Sequence, residues 1–144
     1  MMMLRNLFFL FFLSFPILVS AQSDSSTLSN CVILKETFNR RIKFSDVVAD
    51  GKFLFLKIEF TNLDKNSHVV DFSNFCVVDA QGIEYEVHVE ATIERQTRFE
   101  DFRRGETVRF AKQQLNPHMR IESWLVFDVP DEGEYKLKFR GYSK

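Results

Sequence analysis

The chain has 144 residues, with 19 Lys and Arg against 20 Asp and Glu, and 17 phenylalanines. The near-neutral balance removes the global cationic field that nucleic-acid binding ordinarily needs, and the length suits one folded domain and no second one. Five glycines punctuate turns, without the spacing of a phosphate-cradling loop.

Arg5 supplies the charge of a short basic start, and residues 7 to 19 are an apolar run with four Phe in its first half. The run is too short for a bilayer of about 30 Å, which needs about 20 residues. Val19, Ser20 and Ala21 place small or apolar side chains where signal peptidase reads them, so residues 1 to 21 are expected to be a cleaved signal peptide and Gln22 the mature start. Gln22 stands where a lipoprotein would need Cys. The mature chain then keeps 18 Lys and Arg, 20 Asp and Glu and 12 Phe, without a membrane span, in a periplasmic or secreted location. Residues 22 to 30 read as a polar, flexible leader, and 31 to 144 as the folded domain.

A period of two begins at Val32, where Val32, Leu34, Glu36 and Phe38 alternate with Ile33, Lys35 and Thr37. After the turn signal Asp50-Gly51, Leu54, Leu56, Ile58 and Phe60 share one strand face. Phe53 and Phe55 lie on the other face and imply cover there. A polar turn over 62 to 67 leads to extended segments at 69 to 72 and 75 to 78, broken by Ser73-Asn74. The turn Asp79-Ala80-Gln81-Gly82 opens a predicted strand over 83 to 89, with Ile83, Tyr85, Val87 and Val89 inward. Residues 91 to 114 lose the rhythm and read as a long connection with one helical turn and a short strand at 107 to 111. Leu115-Asn116-Pro117 is a second break. Two strands end the chain: 121 to 129, with Leu125, Phe127 and Val129 inward and Trp124 and Val126 outward, and 134 to 140, with Tyr135, Leu137 and Phe139 inward. Pro130 to Gly133 joins them tightly. Seven to eight short strands without a long amphipathic helix predict an all-β antiparallel sandwich; a closed barrel is the alternative.

Three segments carry a resemblance. They are FLFLKIEFTN at 53 to 62, the hairpin pattern Asp79, Gly82, Tyr85, and Leu115-x-Pro117 followed by Phe127-Asp128-Val129-Pro130. In order and spacing they resemble a family of small bacterial extracytoplasmic immunoglobulin-like domains of unknown function, sometimes labelled telomeric repeat-binding factor-like, over about 32 to 142. The resemblance implies an exported immunoglobulin-like sandwich without established catalysis. The telomere label has no physical basis in an exported chain of this charge. His118 after Pro117, and Ser123 before Trp124, stand where the family commonly has Gly.

For chemistry the sequence offers little. His68, His88, His118 and Met119 are the residues a periplasmic copper carrier could use, at spacings that match no ligand motif; no metal or other cofactor is expected. No G-x-S-x-G is present and paired carboxylates such as Glu84 and Glu86 read as a solvated face, so the chain is expected not to be an enzyme. Cys31 and Cys76 either pair or stay as two separately buried thiols. Between residues 95 and 120, seven basic side chains face three acidic ones, and Phe99 and Phe102 interleave with Arg95, Arg98, Arg103, Arg104 and Arg109. Arg and aromatics are the side chains of binding hot spots. These seven residues are the expected binding site, for an envelope protein or an anionic glycan; a solubilising loop is the plainer reading. The whole is read as an exported, non-catalytic binding or structural module of the cell envelope. A copper carrier and an accessory or inhibitory subunit of an exported enzyme are the alternatives.

Overall fold

In a computed structural model, residues 30 to 39, 47 to 98 and 112 to 142 are described, and they form eight strands and one α-helix. The strands are β1 (Cys31–Asn39), β2 (Lys52–Thr61), β3 (His68–Asp71), β4 (Phe75–Val78), β5 (Glu84–Glu86), β6 (Lys112–Leu115), β7 (Arg120–Val129) and β8 (Lys136–Phe139); α1 (Val89–Arg98) follows β5. All pairings are antiparallel. They give a sheet β1-β2-β7, a sheet β5-β4-β8 and the ribbon β3-β6.

The period-two pattern becomes the main core. Leu54, Leu56, Ile58 and Phe60 of β2 sit beside Leu125, Phe127 and Val129 of β7, and the facing layer supplies Phe75, Val77, Leu137 and Phe139, with Val70 and Leu115 from the ribbon. Phe60 bridges the layers edge-on to Phe75 at 5.5 Å and against Phe139 at 4.8 Å between ring centroids. Edge-to-face rings gain beyond the area they bury, so this contact fixes the layer spacing as well as excluding water. The result is a sandwich-like all-β fold.

Strand β1 is different. It pairs with β2 on one side, carries a bulge between Ile33 and Lys35, and leaves Val32, Ile33 and Leu34 exposed. Among the described residues its other edge has no partner; a bulge and a lysine are the usual protections of such an edge.

Two expectations are corrected. The strand expected over 83 to 89 is only three residues long, and Ile83 and Val89 are exposed. Asp79 holds the turn instead: its Oδ1 accepts the N–H groups of Gln81 at 2.9 Å and Ile83 at 2.8 Å, Gly82 takes φ +84°, and Ile83 is consumed in closing the turn. The single helical turn expected in the 91 to 114 connection is a ten-residue helix that begins at Val89, where strand was expected. The strand expected at 107 to 111 lies outside the described residues.

Residues of the segments that carry the resemblance act as clasps. Asn62 is fully buried at the end of β2; its Nδ2 donates to the carbonyls of Asn66 at 2.9 Å and Leu115 at 3.0 Å, while its Oδ1 accepts from Asp64 N–H at 3.0 Å and the Tyr142 hydroxyl at 2.8 Å. Asp128 accepts from the N–H groups of Asp50 at 2.8 Å and Gly51 at 3.0 Å, binding the turn before β2 to the end of β7. A Cβ at Gly51 would lie 2.1 Å from the Val129 carbonyl oxygen, a close approach that only glycine allows. His118 takes φ 62° in the turn closed by Met119 N–H to the Asn116 carbonyl, which is why glycine suits that position.

Candidate functional site

The expected binding residues begin on α1, and its placement follows from unusual chemistry. The helix buries Ala91, Thr92 and Gln96, of which two are polar. Strand β7 forms the edge of its sheet opposite β1, and its outward backbone groups would stand unpaired there. Thr92 Oγ1 accepts the Val126 N–H at 2.9 Å, Gln96 Nε2 donates to the Trp124 carbonyl at 3.0 Å and to Ser123 Oγ at 2.9 Å, and His88 N–H donates to the Val126 carbonyl at 2.7 Å. Side chains of α1 therefore complete an edge that another strand would otherwise complete. Ser123, at the position where the resemblance expects glycine, is the partner of Gln96.

Beneath α1 lies a second apolar cluster of Val47, Ala49, Phe53, Phe55, Ala91, Trp124 and Val126. This is the cover that Phe53 and Phe55 demanded. Trp124 and Val126 are buried, at 4 % and 0 % exposure, and so offer no outward surface for binding. Arg95, half-buried on α1, places its guanidinium carbon 3.9 Å from the centroid of the Trp124 ring, a cation–π contact that fixes both side chains.

Of the seven residues expected to bind, Arg95 is thus placed against Trp124, and Arg98 belongs to the last turn of α1. Phe99, Phe102, Arg103, Arg104 and Arg109 lie outside the described residues.

The structure does not bring His68 and His88 together. His68 stacks on Tyr142 at 3.8 Å between centroids and meets Asp64 Oδ2 at 2.6 Å, which holds the Asp64 carboxyl below its ordinary range. Tyr142 packs on Phe60 of the main core, whereas His88 lies edge-on to Phe53 at 5.4 Å, on the opposite face of β2. His118 occupies its turn and Met119 is exposed. Among the described residues no group of three or more His, Cys, Asp or Glu could hold a metal ion.

Cys31 and Cys76 are both buried and free, the second of the two arrangements left open by the sequence. Cys31 belongs to the main core, where burial pushes its thiol up to about 12. Cys76 shares a sheet face with Glu86 and Lys138, its cross-strand partners. On that face Lys138 meets Glu84 at 2.6 Å and Arg140 meets Glu84 at 2.7 Å and Glu86 at 2.6 Å. The two cations draw the Glu84 carboxyl down to about 2, and burial raises the Cys76 thiol. Neither thiol is the exposed, low-pKa kind that reacts.

The family model of a domain of unknown function, DUF4352, matches residues 23–144. The chain belongs to this family. The DUF4352 chain is also similar to the crystal structure of the yjhA protein from Bacillus subtilis, at 13 % identity over 78 % of this chain and 76 % of that one, with a TM-score of 0.50. That likeness concerns the fold alone. No curated protein matches the DUF4352 chain. Among the described residues, no helix is long and apolar enough to cross a membrane.

Sequence reasoning missed Thr92, Gln96 and Ser123. Their signal was the i,i+4 spacing of Thr92 and Gln96 beside Ala91 and Arg95, a helix face that carries polar side chains because it meets the backbone of β7 as well as side chains.

Proposed function

We propose that this DUF4352 chain is an exported, non-catalytic binding or structural module of the cell envelope, built on an immunoglobulin-like sandwich, whose binding surface starts at Arg95. The observation that supports this most is the guanidinium of Arg95 held over Trp124. An arginine already ordered by stacking loses less freedom when it engages a carboxylate, sulfate or phosphate through its fork of donors. Arg98 follows on the same helix, and Phe99, Phe102, Arg103, Arg104 and Arg109 continue the stretch in sequence. Recognition on segments carried by a rigid sandwich is the common arrangement of such folds. The export reading rests on Arg5, the apolar run over 7 to 19 and the small residues before Gln22.

The partner on this reading is an envelope protein or an anionic glycan. Changing Arg98, Arg103 and Arg104 together to Ala should abolish retention on envelope components or on an array of anionic glycans, with circular dichroism unchanged. Binding by the parent should weaken with salt, since exposed charges are screened beyond about 8 Å at physiological ionic strength. Undiminished retention by the folded triple variant would remove this stretch from the account.

A further inference from the structure

Besides its N–H bond to β7, His88 holds α1 through its ring. It immediately precedes the helix, and its Nδ1 lies 3.2 Å from the backbone N–H of Ala91, the third residue of α1. That N–H is one of the four at a helix start that lack a partner within the helix, so His88 takes the place that Ser, Thr, Asp or Asn usually fills. An imidazole nitrogen accepts a hydrogen bond only while it carries no proton. The contact thus assigns His88 the neutral form with its proton on Nε2.

We propose that His88 is an acid-sensitive latch on α1: neutral, it caps the helix and seats it on the sheet; protonated, it releases the helix from the sheet face. This goes beyond the binding role above and does not depend on it. Protonation sets an N–H against the Ala91 N–H and adds a positive charge at the positive end of the helix dipole. A ten-residue helix is marginal by itself, so its cap and its docking decide whether it persists. While Nδ1 accepts the Ala91 N–H it has no lone pair left for a proton, so acid works against the docked arrangement.

The neighbouring charges leave this sense intact. On the sheet face that α1 covers, Lys57 is paired with Glu122 at 2.8 Å, Glu59 with Arg120 at 3.4 Å, and Asp128 with the Asp50 and Gly51 N–H groups. Asp50, beside that face, offers its backbone there. Glu86, on the stretch before His88, is engaged by Arg140. On α1 itself stand Glu90, Glu94, Arg95 and Arg98; Glu90, in the first turn, favours both the helix and an imidazolium, and so acts against the latch. Packed against the ring, Phe53 is apolar, and the Val126 carbonyl is taken by the His88 backbone N–H.

Trp124, the single tryptophan, lies under α1 and reports the event. In the full chain its emission should shift to the red between about pH 7.5 and pH 5.0, the range in which imidazoles gain a proton. His88→Asn supplies a cap acceptor that does not titrate, and should hold the emission constant over that range. His68→Asn and His118→Asn should respond as the parent does. A parent whose emission does not move, or an H88N variant that shifts equally, overturns the latch. Should H88N fail to fold, the imidazole nitrogens of the parent decide by NMR at pH 7.5: a proton on Nε2 alone agrees with the latch, and one on Nδ1 overturns it.

Discussion

Replacing Phe127 by Ala should lower stability by about 3 to 5 kcal/mol, the range for truncating a buried phenylalanine. Phe127 lies near the C-terminal end of β7 opposite Leu54, fully buried between the two layers, with Val87 bridged to it from the other side. Such a loss is a large part of the 5 to 15 kcal/mol that a domain commands, and in one of this size corresponds to roughly 10 to 20 °C in Tm. Val32→Ala is the control. It too is an apolar residue on a strand, but 56 % exposed on β1, and should change stability by under about 0.5 kcal/mol. Denaturant titration of both variants checks the register of the sheet. A loss under about 1 kcal/mol at Phe127 would mean that β7 faces the other way.

Asn62→Ala should cost about 4 kcal/mol although it removes no apolar area. The side chain makes four hydrogen bonds, to Asn66, Leu115, Asp64 and Tyr142, and each net bond is worth about 1 kcal/mol. The buried Leu115 carbonyl, moreover, would lose this hydrogen bond. Asn62→Asp should not rescue the loss, because a carboxylate would turn an acceptor toward two carbonyl oxygens. Tyr142→Phe should remove a single bond and cost about 1 kcal/mol. Urea titration of the three variants separates these outcomes. Equal stability of N62A and the parent would show that the clasp does not hold the end of β2.

The strands that bury phenylalanine and leucine on one face were legible because a half-buried strand repeats every two residues. Leu54 to Phe60, Leu125 to Val129 and Leu137 to Phe139 all read this way, and all lie in the main core. Helix α1 was illegible for a definite reason. Two of its sheet-facing side chains, Thr92 and Gln96, satisfy the backbone of β7, so the buried face is not the run of large apolar residues by which a helix is usually read. Ile83 and Val89 misled in the opposite sense, being apolar residues spent on a turn and a helix start.

The clasps fall between these cases. Asn62, Asp79 and Asp128 stood out as letters of a resemblance, but their partners are distant in sequence, as with Asp128 and Gly51, and only the folded chain shows what they hold. The signal that marked the family therefore describes how the sandwich is closed at its ends. The candidate site was legible as a run of Arg and Phe, whereas the seat of Arg95 on Trp124 depends on a helix that crosses to β7.

The proposed role requires that the domain work outside the cytoplasm. Intact-mass analysis of the chain recovered from the cell-envelope and secreted fractions tests that directly. A mass corresponding to a chain that begins at Gln22, without lipid, is the predicted result; an uncleaved or acylated chain would contradict it.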